Sequence, residues 1–275
     1  MTTNHAGPTA TLPPTVPLLP PPPVPPGWDV APPDFVGVGA QRSGTTWWWG
    51  LLARHPRIAE VELRNKELHF FDRYLGVRDI DPAVYHRYFP RPPGKICGEW
   101  TPRYMYDFWV PPMLAQAAPR ARLLVLLRDP VARYLSALSL VTGRGYPVTA
   151  MLLNEHLKRS LYAHQLNMLF RNFPRDQVLV LQYEACVADP VRHLRRTLEF
   201  LDLDPGQWQG ESALTRRVSL SNAARPDLDP ATYEALLDGV HRDLCTLFDL
   251  VPSLDPGLWP SAATWSRPVR DYSLI

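Results

Sequence analysis

The chain has 275 residues, 45% of them hydrophobic, enough to bury one substantial core, so one folded domain is the simplest organisation. Its formal net charge is +2 with both signs interspersed, which argues against a nucleic-acid footprint or a surface built for a polyanion and favours a small acceptor or ligand.

In chain order, residues 1–33 are dense in proline, with a run from Pro20 to Pro23, and are expected to form a disordered or polyproline-like tail ahead of a folded domain over 34–275. Apolar, β-rich runs then fall at Phe35–Gly39, Ile96–Glu99, Arg122–Arg128 and Val178–Tyr183, with a further short strand around Ile58–Val61. Helix-like stretches separate them, the α/β pattern of a parallel sheet with crossover helices. Asp129-Pro130, Asp189-Pro190 and Asp229-Pro230 each place a capping carboxylate before a proline at the first helical position. They predict helices over Val131–Val141, Val191–Leu201 and Ala231–Leu250, and Trp47–His55 reads as another. Cys97, Cys186 and Cys245 form no CxxC pair and read as reduced core thiols, against a disulfide framework or a zinc site. No apolar run reaches the roughly 18 residues of a membrane span and no signal-peptide pattern opens the chain, so stable membrane insertion is not expected and a cytoplasmic location is.

Phe35–Gly39 runs into Ala40-Gln41-Arg42-Ser43-Gly44-Thr45-Thr46 before the Trp47 helix. A strand, a tight glycine loop and a helix N-terminus aim backbone N–H groups and the helix dipole at one point, a cradle for phosphate or sulfate that needs no metal. Counted from Gly39, the spacing approaches a Walker A loop, which would make the chain a kinase or other nucleotide-binding P-loop protein, but Thr45 stands where that loop requires lysine. The cation lies inside the loop instead, at Arg42, placed to stabilise charge on a leaving phosphate. Arg128 ends a second apolar strand just before Asp129-Pro130, and Ser136 follows on that helix, a pair suited to a second phosphate.

With both anchors in hand, the chain resembles the sulfotransferases that use 3′-phosphoadenosine 5′-phosphosulfate (PAPS), including bacterial and heparan sulfate-type members. Arg42-Ser43-Gly44-Thr45-Thr46 resembles the family's 5′-phosphosulfate loop, and Arg128 through Ser136 resembles its 3′-phosphate motif. The resemblance implies a three-layer fold like that of the P-loop nucleotide triphosphatases, transfer of a sulfuryl group to a hydroxyl, PAP as the product nucleotide and no metal. It places Trp47 beside the donor, Tyr183 near the adenine, and Arg216 and Arg217 in a basic loop over PAPS. Without transfer to any acceptor, the same features would describe a nucleotide-binding scaffold whose proline-rich tail recruits partners.

Lys66-Glu67-Leu68-His69-Phe70-Phe71-Asp72 resembles a segment in which the heparan-type enzymes carry their catalytic base as a glutamate, which implies that role for Glu67. If this segment is extended, Glu67 and His69 point the same way, and His69 supports the carboxylate or replaces it as base. An ordinary glutamate, with a pKa of about 4.3, would need burial to raise its basicity. At Gly98-Glu99-Trp100-Thr101-Pro102 the chain departs from these relatives, which tend to have lysine where Trp100 stands. Either Arg42 and Lys66 supply the missing charge, or an apolar acceptor packs on Trp100. The aromatic residues Trp47, Trp48, Trp49, Tyr104, Tyr106, Phe108 and Trp109, mostly core, add a stacking surface for a phenol, sugar or lipid-like hydroxyl, with Tyr104–Trp109 and Val141–Leu153 as the acceptor-pocket segments.

Overall fold

Strands and helices alternate in the computed structural model, which describes residues 18–59, 66–74, 80–214 and 228–263. In chain order they are β1 (Asp29–Val30), β2 (Phe35–Gly39), α1 (Thr45–Leu52), α2 (Pro82–His86), β3 (Pro90–Arg91), β4 (Gly98–Trp100), α3 (Val110–Ala117), β5 (Arg122–Leu127), α4 (Pro130–Gly143), α5 (Ala150–Lys158), α6 (Tyr162–Asn172), β6 (Val178–Gln182), α7 (Tyr183–Ala188), α8 (Pro190–Phe200), α9 (Pro230–Leu250) and α10 (Pro260–Ala263).

The main sheet has the order β4-β2-β5-β6 and is parallel throughout. Alternation along its apolar strands separates two cores. Leu123, Val125 and Leu127 of β5 join Val36 and Val38 against residues of α3, α4, α6 and α9, while Leu124 and Leu126 join Phe35 against residues of α1 and α8. Helices therefore cover both faces, the three-layer α/β architecture that the sequence leads one to expect. From β2 the chain crosses to β4 on one side, then returns past β2 to β5 on the other. A reversal of that kind opens a crevice at the carboxyl ends of the strands, and the loop after β2 lies there.

All three Asp-Pro starts cap helices: Asp129 accepts from the Ala132 amide at 2.8 Å, Asp189 from that of Arg192 at 3.0 Å, and Asp229 from that of Thr232 at 3.0 Å. Asp129 also accepts from the Ser261 amide at 2.9 Å, and Glu184 accepts from the Asp129 amide at 3.0 Å and from the Trp259 indole at 2.7 Å. The turn that follows Arg128 is thus held from three directions.

Some expectations need correction. The strand expected at Ile96–Glu99 begins at Gly98 and ends at Trp100, because Ile96 pairs only in an isolated bridge with Ile58. Residues 18–33 are not a detached tail: Leu18 packs on the core, the Tyr88 hydroxyl donates to the Leu19 carbonyl at 2.8 Å, β1 pairs with β3, and Arg91 donates to the Pro32 carbonyl at 2.9 Å. Proline lacks the N–H of a ladder but keeps its carbonyl, and here Arg91 reaches that of Pro32. Val61, Arg216 and Arg217 lie outside the described residues.

Candidate active site

The loop between β2 and α1 turns on Gly44, which caps the helix in the left-handed region at φ 84°. A Cβ there would lie 2.5 Å from Cε2 of Tyr183, so glycine is required both by the turn and by the ring lying over it. The first-turn amides of Thr45, Thr46 and Trp47 have no partner within the helix and face the loop's concavity as donors. Ser43 is fully buried beside the Tyr162 phenol, and its hydroxyl meets no partner at hydrogen-bond geometry. Trp47 is buried and packs edge-on against Tyr183, with centroids 6.2 Å apart, so its side chain braces the loop.

The second anchor meets the first directly. Arg42 donates to the Ser136 hydroxyl from Nε at 3.2 Å and from Nη2 at 3.1 Å, and Arg128 donates to the Arg42 carbonyl at 3.3 Å. The Arg128 guanidinium lies 5.2 Å from the centroid of Tyr183, the first residue of α7. Burial, together with the neighbouring Arg128 and Arg144, pulls the Arg42 guanidinium below its ordinary pKa. Among the described residues none of these three arginines has a carboxylate partner, which leaves this crevice cationic.

The segment Lys66–Asp72 joins the carboxyl edge of the sheet, with a parallel bridge from Lys66 to Trp100 and a bond from the Glu67 amide to the Trp100 carbonyl at 2.9 Å. It is not extended beyond that point: Glu67 and His69 both have positive φ, 63° and 55°. Their side chains still meet, through this left-handed bend and not through a strand's alternation. Lys66 Nζ lies 2.5 Å from Glu67 Oε1, His69 Nε2 lies 3.2 Å from Glu67 Oε2, and His69 Nδ1 lies 2.6 Å from Asp72 Oδ2. The bend is anchored from behind, where Thr101 accepts from the His69 amide at 3.2 Å and Tyr104 from the Phe70 amide at 2.8 Å.

Electrostatics correct a second expectation. Burial alone would raise the Glu67 carboxyl, but its contacts with His69 and Lys66 outweigh burial and hold it below the usual glutamate value. Burial alone would lower His69, but Asp72 and Glu67 raise it to about 9. Glu67 is therefore a carboxylate, and His69 is an imidazolium at neutral pH with no free lone pair to take a proton.

Trp100 is fully buried under β2, where a Cβ on Gly37 would overlap its ring and where its Nε1 donates to the Gly39 carbonyl at 3.3 Å. No acceptor can stack on it. Trp47, Trp48 and Tyr104 are buried as well, while Tyr106 and Trp109 are half-buried and Phe108 is exposed. Residues that motif reading missed complete the crevice: Arg144 beside Arg42, Asp72 behind His69, and Arg159, which donates to the Gln41 side chain at 2.5 Å and lies 4.1 Å from the Tyr106 ring centroid. Asp72 lay within the quoted segment, but nothing in the spacing of Arg144 or Arg159 ties them to this site.

Comparison with known proteins agrees with this geometry. Residues 91–209 match the family described as Sulfotransferase family. The chain is 31% identical over 185 residues to mouse heparan sulfate glucosamine 3-O-sulfotransferase 6, covering 62% of this chain and 52% of that one. It is 29% identical over 188 residues to the mouse 3B1 enzyme, covering 62% and 46%. The chain thus spans about half the length of the curated relatives it matches. Among solved structures, a sulfotransferase from Alicyclobacillus acidocaldarius shares the fold at a TM-score of 0.64 and 22% identity, over 83% of this chain and 99% of that one. Sequence match and architecture together make this chain similar to the sulfotransferases over residues 91–209 and give it their fold.

Proposed function

We propose that the chain transfers a sulfuryl group from PAPS to a hydroxyl of a small-molecule, sugar or lipid-like acceptor. The observation that carries this reading is the junction of Arg42, Arg128 and Ser136, which joins two anion anchors in one crevice with no carboxylate partner among the described residues. On this reading the loop of Arg42, Ser43, Gly44, Thr45 and Thr46 holds the 5′-phosphosulfate, Arg128 and Ser136 hold the 3′-phosphate, and Tyr183 lies beside the adenosine.

The acceptor oxygen forms a bond to sulfur as the bond between sulfur and the 5′-phosphate oxygen breaks, and the electron pair leaves on PAP. Arg42 and the first-turn amides of α1 stabilise that developing charge. The acceptor's proton goes to Glu67, which is ionised and half-exposed at the edge of the crevice, while the imidazolium of His69, fixed by Asp72, holds the carboxylate in place. Half-buried Tyr106 and Trp109 with exposed Phe108 offer the acceptor an aromatic wall.

The test is transfer of radiolabelled sulfate from PAPS to a panel of hydroxyl acceptors by the wild-type chain, R128A and E67A, beside the thermal stabilisation that PAP gives each. Stabilisation of wild type and E67A by PAP, with transfer by wild type alone, is expected. Absence of any PAP-induced stabilisation of the wild type would sink the donor assignment.

A further inference from the structure

A second cationic cavity lies at the opposite edge of the sheet. It has a volume of about 440 Å³ and is lined by Asp34, which precedes β2, by Ile96, which precedes β4, and by Arg122, which opens β5. The Arg42 loop leaves the other end of β2, about 15 Å away at the rise of a five-residue strand.

Four arginines face this one cavity: Arg57, Arg91, Arg120 and Arg122. Two have carboxylates, Arg91 with Asp34 at 3.4 Å and Arg122 with Asp202. Arg57 donates only to the Gly94 carbonyl, at 3.1 Å, and the Arg120 guanidinium has no partner among the described residues. Arg91 Nη1, the nitrogen paired with Asp34, is buried and meets no partner at hydrogen-bond geometry. Guanidinium groups do not shed their charge, so among the described residues that line it the cavity carries two cations more than its carboxylates balance. Between them the walls are apolar, from Pro33, Ile96 and Leu201.

A guanidinium fork pairs two parallel N–H groups with two oxygens of a phosphate or sulfate, and an apolar wall covers an organic body. The volume falls within the range of pockets that hold small organic ligands. We propose that this cavity binds a small organic phosphate or sulfate ester, independently of the crevice at Arg42.

The test is isothermal titration of para-nitrophenyl phosphate and para-nitrophenyl sulfate into R42A, in which the Arg42 loop is weakened, and into R42A carrying R57E and R120E. Both of these added positions are exposed, and circular dichroism checks that each variant is folded. R42A is expected to bind one equivalent, and the added charge reversals to weaken it at least tenfold, on the order of one lost charge-assisted contact. R57Q with R120Q is expected to weaken it less. The tighter of the two esters identifies phosphate or sulfate as the preferred group. No binding by R42A, equal affinity in the two proteins, or equal binding of neutral para-nitrophenol overturns the proposal. PAPS takes no part, so this outcome is separate from that of the proposed transfer.

Discussion

Arg42 and Ser136, 94 residues apart in sequence, are joined by two hydrogen bonds at 3.2 and 3.1 Å. The guanidinium assigned to one end of the donor therefore holds the hydroxyl assigned to the other. On the proposed reading, a nucleotide with both 3′- and 5′-phosphates exchanges this internal contact for two external ones.

PAP titrations of single variants follow from this. R128A removes a cation that has no carboxylate partner among the described residues and is expected to weaken PAP binding between about tenfold and a hundredfold. S136A removes one acceptor and also frees Arg42 for the ligand, so its loss is expected to be smaller than that of R128A. Calorimetry on both variants checks the order, and a larger loss in S136A contradicts it.

The pH profile of transfer reports on the Lys66–Glu67–His69–Asp72 cluster. Because Glu67 is held below the usual carboxylate value, the acid limb is expected below about pH 4.3. Removing the Lys66 charge in K66M takes away one cause of that lowering, so the limb is expected to move to higher pH. His69 loses its proton near pH 9, and with it one of the two cations beside Glu67, which is expected to set a basic limb there that H69Q abolishes. His69 is raised in the fold, so its contribution to stability is full below its ordinary value of 6.5 and is lost as pH rises through about 9. E67Q is expected to lower kcat by about a hundredfold or more with PAP affinity unchanged, since it removes the base and not the donor contacts.

The parts of this site that were legible in the sequence are those fixed by local chemistry. Gly44 between an apolar strand and a helix, Arg128 before an Asp-Pro cap, and the alternation of Leu123 through Leu127 each follow from backbone geometry and period-two burial. What was hidden depends on tertiary contact. The left-handed bend at Glu67 and His69 is held by Thr101 and Tyr104, about thirty residues later, and no spacing within 66–72 announces it. The direction of the Glu67 shift was hidden for the same reason, because it is a balance of burial against two cations whose positions depend on that bend.

Gly44 tests the loop apart from its charges. G44A places a Cβ at φ 84° and 2.5 Å from the Tyr183 ring. The backbone conformation alone costs an ordinary residue about 1–2 kcal/mol, and displacement of the ring adds to it. Y183A in the G44A background is expected to recover the steric part and leave the backbone part, read as the difference in urea midpoints. Full recovery would mean that φ carries no strain.

Trp100 stands where the family resemblance leads one to expect lysine, and its burial decides what substitution by lysine does. W100K removes a fully buried indole from beneath Gly37 and breaks the bond from Nε1 to the Gly39 carbonyl just before the anion loop. Emptying a site of that size costs about 3–5 kcal/mol, and an ammonium left in that fully buried space is desolvated. Lys66 pairs with Trp100 through the backbone, and its Nζ already lies at the crevice edge beside Glu67. A cation is therefore present one segment over, and W100K is expected to destabilise the domain without raising the rate of transfer, whereas K66A is expected to lower that rate in a protein of near wild-type stability. Denaturant unfolding and initial rates on the two variants separate these outcomes, and a faster W100K would show that the lysine had been missing after all.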